Sequence, residues 1–220
     1  MRTDLECMIC FLQQALSAAR LSTDDPELHR QVVHETGRQL SKLDLTRSPP
    51  ENAVVIYKRI AELTGVVDPF RQLKVESNSF ARDLSGQVRD RINNAENTLY
   101  AAVRYAIAGN IIDYGVQQKF DAMHVMSNCT SKQLSIDDFE MLSNEINGSE
   151  GLSILYLADN CGEIVFDVLL VEQLQRCGHK VTMVVRGEDI LNDATMRDAA
   201  DLGIGDLCTV ISNGTSCPGT

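Results

Sequence analysis

Residues 152–185 read LSILYLADNCGEIVFDVLLVEQLQRCGHKVTMVV. A short apolar run, Ser153 to Ala158, breaks at Asp159-Asn-Cys-Gly162. An amphipathic stretch from Glu163 to Arg176 follows and stops at Gly178, and Lys180 to Val185 is a second, β-branched run. A polar segment around 193–202 then leads to a third run, Cys208-Thr-Val-Ile211. Strand, helix, strand, helix, strand is the grammar of a Rossmann-like parallel α/β sheet with crossover helices.

Working backwards, residues 1–147 read as helix after helix. Asp25-Pro26 is an N-cap with proline at the first helical position of a segment reaching Leu43. Ser48-Pro-Pro50 opens a helix through Ile56 and Ile60 that stops at Gly65, and Asp68-Pro69 starts a segment carrying Phe70, Leu73, Phe80 and Leu84. Leu99, Val103 and Ile107 fall at i, i+4 and i+8, which predicts one buried stripe ending near Gly109-Asn110. Ser135 is the expected cap of a last helix through Phe139 and Leu142, with Asp138 in the capping-box position. The expected organisation is a helical subdomain over 1–147 and an incomplete α/β subdomain over 148–220. Three parallel strands leave at least one edge without partner or cover, so the sheet is expected to be truncated at its C-terminal side.

Hydrophobic residues make up 44% of the 220, which suffices for a packed core, and the 23% charged fraction argues against disorder. A formal net charge of −11 disfavours nucleic acid and anionic membranes. MRTDLECMICFLQQ carries acid where a signal peptide needs base, and no apolar run approaches a membrane span. Seven cysteines in such a chain read as reduced thiols, so a cytoplasmic location is expected.

In an open parallel sheet, ligands bind beyond the carboxyl ends of the strands. Asp159 and Asn160 stand at that end of the first strand, and Asp193 follows the second strand, which Arg186 closes. Two carboxylates and an amide carbonyl are hard oxygen donors that suit Mg²⁺ or Mn²⁺. Equally, both Asp residues suit the caps of the helices that follow them. Gly162 permits a tight turn, leaving helix amides for phosphate oxygens. Glu163 either complements the helix dipole or orients a water. No GxGxxG follows the first strand and no GxxxxGK[ST] occurs, which excludes the familiar nucleotide sites. Cys7 and Cys10, at i, i+3, have three readings: two small buried hydrophobes, a redox pair, or half of a zinc site.

The string Leu157-Ala-Asp-Asn-Cys-Gly-Glu-Ile-Val-Phe-Asp167 resembles the metal-site signature of the DUF89 damage-control phosphatases. Four more strings agree in family order: Cys7-Met-Ile-Cys10; Thr64 to Phe70 with Lys74 and Ser77-Asn78; Ala108-Gly-Asn-Ile-Ile-Asp113; and Val185-Arg-Gly187 with Leu191-Asn-Asp-Ala-Thr195. The resemblance implies a hydrolase that removes phosphate from small damaged or surplus metabolites. It implies a divalent metal (Mn, Co, Ni or Mg) on Asp159, Asn160 and Asp193, and places Asn110 and Asp113 in the cleft wall, where Gly109-Asn110 alone would read as a helix C-cap. Cys7 and Cys10 mark one branch of the family. The expected roles are catalytic for Asp159, Glu163 and Arg186 and substrate-binding for Asn110, Asp113 and Gly162. Relatives continue into further strands with a substrate lysine, so turnover by this chain is an open expectation. Two rivals stand: a carboxyl methyltransferase using S-adenosylmethionine, and a metal-binding fragment without turnover. The single Gly162 and the basic Arg186 suit the methyltransferase poorly.

Overall fold

A computed structural model describes residues 2–110 and 119–217. Its elements in chain order are α1 (Leu5–Ser22), α2 (Pro26–Leu40), α3 (Pro49–Thr64), α4 (Arg71–Asn93), α5 (Thr98–Gly109), α6 (Lys119–Ser131), α7 (Phe139–Gly148), β1 (Ser153–Leu157), α8 (Glu163–Arg176), β2 (Lys180–Val185), α9 (Met196–Asp201) and β3 (Thr209–Ser212). A helical N-terminal region followed by a small parallel sheet is the expected fold class.

The chain packs as two compact units. The first contains residues 1–72, 186–193 and 213–220; the second contains 73–185 and 194–212. The change from helical to strand-bearing sequence at 147/148 falls inside the second unit.

In the first unit α1, α2 and α3 surround Phe11, Ala15, Ala19, Val32, Ile56 and Ile60. The caps are those the sequence signals. Asp25 accepts from the Glu27 amide ahead of Pro26, Ser48 and Glu51 form a capping box, and Gly65 ends α3 at φ 72°. Cys10 is exposed and Cys7 partly so, which removes the reading of the pair as two buried hydrophobes.

The second unit carries the sheet, parallel throughout, in the order β1-β2-β3 with Leu157 beside Val184 and Val184 beside Ile211. Ile154, Tyr156, Val181, Met183 and Val185 face the core shared with α8. Helix α8 spans the expected residues because glycines at φ 89° (Gly162) and 88° (Gly178) bracket it. It is not amphipathic: nine of its fourteen residues are buried. Helix α5 lies along α8, and this corrects the expected stripe, because Ile107 is 49% exposed. The buried residues are Leu99, Ala102, Arg104, Tyr105, Ala106, Ala108 and Gly109, and the alanines and the glycine among them let the two backbones approach. A Cβ on Gly109 would stand 3.0 Å from Phe166 Cδ2, so glycine serves close packing there. Helix α7 begins at Phe139, later than Ser135 suggested, with Asp137 Oδ1 accepting from the Phe139 amide at 3.1 Å.

Candidate active site at the end of the first strand

Beyond Leu157 the chain leaves the sheet and turns into α8. The Asn160 carbonyl accepts from the Ile164 amide at 3.1 Å and the Gly162 carbonyl from the Val165 amide at 3.3 Å, which closes the turn. The Gly162 amide donates to Asn78 Oδ1 at 2.7 Å in a buried setting. These three amides are therefore committed inside the protein, which corrects the expectation that the turn leaves them for phosphate. The Asp159 carbonyl accepts from the amide of Ala194, the residue after Asp193, at 2.8 Å.

Asn160 Nδ2 donates to Asp159 Oδ2 at 3.1 Å and to Glu163 Oε2 at 3.3 Å. Two carboxylates on one edge of the amide fix its orientation, since only nitrogen can donate to both. Asn110, at the end of α5, also hydrogen-bonds Glu163. The structure thus brings Asp159, Asn160, Glu163 and Asn110 together through these hydrogen bonds. Asp113 lies outside the described residues.

This strand end is acidic. Burial first, and the Asp159 charge after it, raise the Glu163 pKa, with hydrogen bonds from Asn160 and Asn110 opposing. One turn on, burial pushes Asp167 up to about 8, although its bond from the Tyr156 hydroxyl at 2.6 Å pulls the other way. The Glu163 and Asp159 charges add to the rise. A divalent cation would offset this repulsion, and carboxylate plus amide oxygens are donors that hard cations take. Among the described residues no three His, Cys, Asp or Glu side chains are arranged as a metal cage, so the candidate set depends on the Asn160 amide. Burial, then the Asp198 charge, raises the pKa of the Cys161 thiol.

Arg186 and Asp193 belong to the first unit and form a buried pair, Nε donating to Asp193 Oδ2 at 2.8 Å. Arg186 Nη1 donates to the Cys217 carbonyl at 3.0 Å. The side chain expected to clamp phosphate is thus engaged with an aspartate and a backbone carbonyl. Asn78 is the residue that sequence reasoning missed as a contributor here. Its place in the string Ser77-Asn78 was the available signal, but nothing local points from α4 to Gly162, 84 residues away.

Residues 3–220 match the family described as the damage-control phosphatase ARMT1-like domain. A damage-control phosphatase of Archaeoglobus fulgidus is 34% identical over 200 residues, covering 88% of this chain and 67% of its own length. A second, from Pyrococcus horikoshii, is 29% identical over 222 residues, covering 100% and 76%. An uncharacterized protein of Methanocaldococcus jannaschii is 29% identical over 218 residues, covering 97% and 72%. The crystal structure of a DUF89 family protein from P. horikoshii superposes with a TM-score of 0.87 at 30% identity, over 100% of this chain and 76% of that one.

Proposed function

This chain belongs to the damage-control phosphatase ARMT1-like family, and from that membership we propose that it hydrolyses a small phosphorylated metabolite with a divalent metal. Asp159 and Asn160 are the proposed ligands at the strand end, and Asp193, which the family resemblance implies, is the third. The observation that carries the reading is the Asn160 amide held between Asp159 and Glu163 at the carboxyl end of β1. The relatives named damage-control phosphatase supply the reaction class.

When bound, the metal would polarise the phosphoryl group and lower the pKa of a coordinated water. Glu163 is the residue to orient that water. Burial raises its pKa, so it would be a stronger base than an exposed glutamate: it would take the proton of the attacking water, and that proton would be available to the ester oxygen as its bond to phosphorus breaks. Asn110 and Asn160 keep Glu163 in place through their hydrogen bonds. Asp113 joins Asn110 as a proposed substrate contact. A surface of net charge −11 would repel a phosphate, so capture depends on local positive charge, and nucleic acid remains an unsuitable partner. We place the activity in the cytoplasm on the strength of the seven free cysteines.

The test is phosphate release from a panel of small phosphate monoesters with Mn²⁺, Co²⁺, Ni²⁺ and Mg²⁺ in parallel. Metal-dependent release that disappears in Asp159→Asn supports the reading. Release unaffected by chelation, or equal in the variant, overturns it.

A further inference from the structure

We infer that Asn78 is a positioning residue for the strand-end site, setting the backbone from which Asp159 and Asn160 project; this rests on the metal reading above. Three observations within the second unit converge on it. The Asn78 side chain is 7% exposed, and its Oδ1 accepts the Gly162 amide at 2.7 Å. Gly162 stands at φ 89°, and a Cβ added there would meet Ser77 Cβ at 3.3 Å and the Ser77 carbonyl oxygen at 3.6 Å, so the turn is pressed onto α4 at the residue before Asn78. The side chain of Cys161, between Asn160 and Gly162, hydrogen-bonds both Asn78 and Asp198.

The physical need follows from the glycine. A residue without a Cβ reaches conformations that others cannot, and it is therefore poorly held by its own backbone preferences. Asp159 and Asn160 lie directly upstream of it, and metal ligation tolerates distance errors of only about 0.2 Å. A buried amide bond from an adjacent helix supplies the missing constraint. The Ala194 amide on the Asp159 carbonyl supplies a second one at the other end of the turn. Loss of such outer partners typically weakens metal binding by about 10–100-fold.

Two substitutions separate positioning from bulk. Asn78→Leu keeps the volume and removes the acceptor. Asn78→Asp keeps the acceptor, with Lys74 one turn earlier on the same buried face to oppose its charge. Mn²⁺ affinity is read by calorimetry on protein shown to be folded. Hydrogen exchange in metal-free protein is compared between peptides covering 158–165 and 168–176. We expect Asn78→Leu to weaken Mn²⁺ binding by about 10–100-fold and to speed exchange in the first peptide only, with Asn78→Asp close to wild type in both. If Asn78→Leu does not fold, Asn78→Ser makes the same comparison. Exchange that is unchanged, or that rises equally in both peptides, overturns the inference. Wild-type protein whose Mn²⁺ binding is absent, or is matched by Asp159→Asn, defeats the metal reading instead, and the exchange comparison then decides the role of Asn78 alone.

Discussion

The Tyr156 hydroxyl donates to Asp167 Oδ1 at 2.6 Å, joining the core face of β1 to a carboxyl group buried in α8. Burial raises the folded-state pKa of Asp167 to about 8, against an ordinary value of 3.8. The folded protein then holds a proton that the unfolded chain releases near pH 4. The stability this contributes is complete below the unfolded pKa and is lost as pH rises through about 8. In metal-free protein, wild type should therefore lose stability relative to Asp167→Asn between pH 5 and pH 9, by more than about 1 kcal/mol. Urea unfolding of the two at both pH values checks this. Parallel behaviour would show that Asp167 is ionised throughout.

Asp159→Asn preserves volume while removing one charge from the proposed ligand set. Mn²⁺ affinity should fall at least about tenfold, and the melting temperature of the metal-free protein should hold or rise, because a source of repulsion on Glu163 and Asp167 is gone. Calorimetric titration alongside thermal melts reads both effects. Unchanged affinity would remove Asp159 from the ligands.

His179 is 4% exposed and bridges two backbone groups: Nδ1 accepts from the Leu152 amide at 3.2 Å, and Nε2 lies 2.8 Å from the Ile146 carbonyl. An amide only donates and a carbonyl only accepts, so the ring is neutral with its proton on Nε2. The histidine ties the end of α7 to the entry of β1. His179→Leu should cost about 2–4 kcal/mol in urea unfolding by stranding both groups, with the Mn²⁺ site intact in the folded fraction.

The sheet and α8 were legible because their signals are local: apolar runs of strand length, and glycines at both ends of the helix. Asp159, Asn160 and Glu163 were legible for the same reason, being one turn at one strand end. Ile107 misled because helical periodicity counts apolar residues and cannot see that α8 approaches the alanine face of α5. Gly109-Asn110 ends α5 with Asn110 as the C-cap, as read, but the close approach of Gly109 to Phe166, 57 residues distant, is a contact that no local rule encodes. Asn78 and Arg186 show the same limit. Which acceptor a buried amide finds, and whether an arginine meets substrate or an aspartate, are decided by tertiary packing.

Leu157, Val184 and Ile211 form a row across the three strands, with Leu155 beside it. Leu155 is 61% exposed, Leu157 72% and Ile211 42%, an unusual surface for a parallel sheet, whose faces are ordinarily both covered. Leu157→Glu should reduce binding of a hydrophobic dye and any concentration-dependent association in sedimentation. Stability should change by no more than about 0.5 kcal/mol, because the side chain loses no packed neighbours. A large loss of stability would show that this face is packed in solution.

Arg186 offers the sharpest contrast between a catalytic and a structural role. Its Nε meets Asp193 Oδ2 at 2.8 Å with side-chain exposures of 5% and 6%, and its Nη1 meets the Cys217 carbonyl at 3.0 Å. Next to it, a Cβ on Gly187 would come within 2.6 Å of the Thr215 amide, so the segment after β3 lies tightly against this corner of the first unit. A buried pair broken on one side leaves a charge without its chief partner, which costs about 3–5 kcal/mol. Arg186→Met should therefore lower unfolding stability by that order and weaken Mn²⁺ binding, because Asp193 loses the group that orients it. Arg186→Lys keeps the charge but not the planar fork, so it should recover part of the stability and less of the metal affinity. A pure phosphate clamp predicts the opposite pattern, with stability and Mn²⁺ affinity unchanged and only phosphate release reduced. Urea unfolding, calorimetry and phosphate release on the two variants distinguish these, and normal stability in Arg186→Met would return the arginine to the substrate.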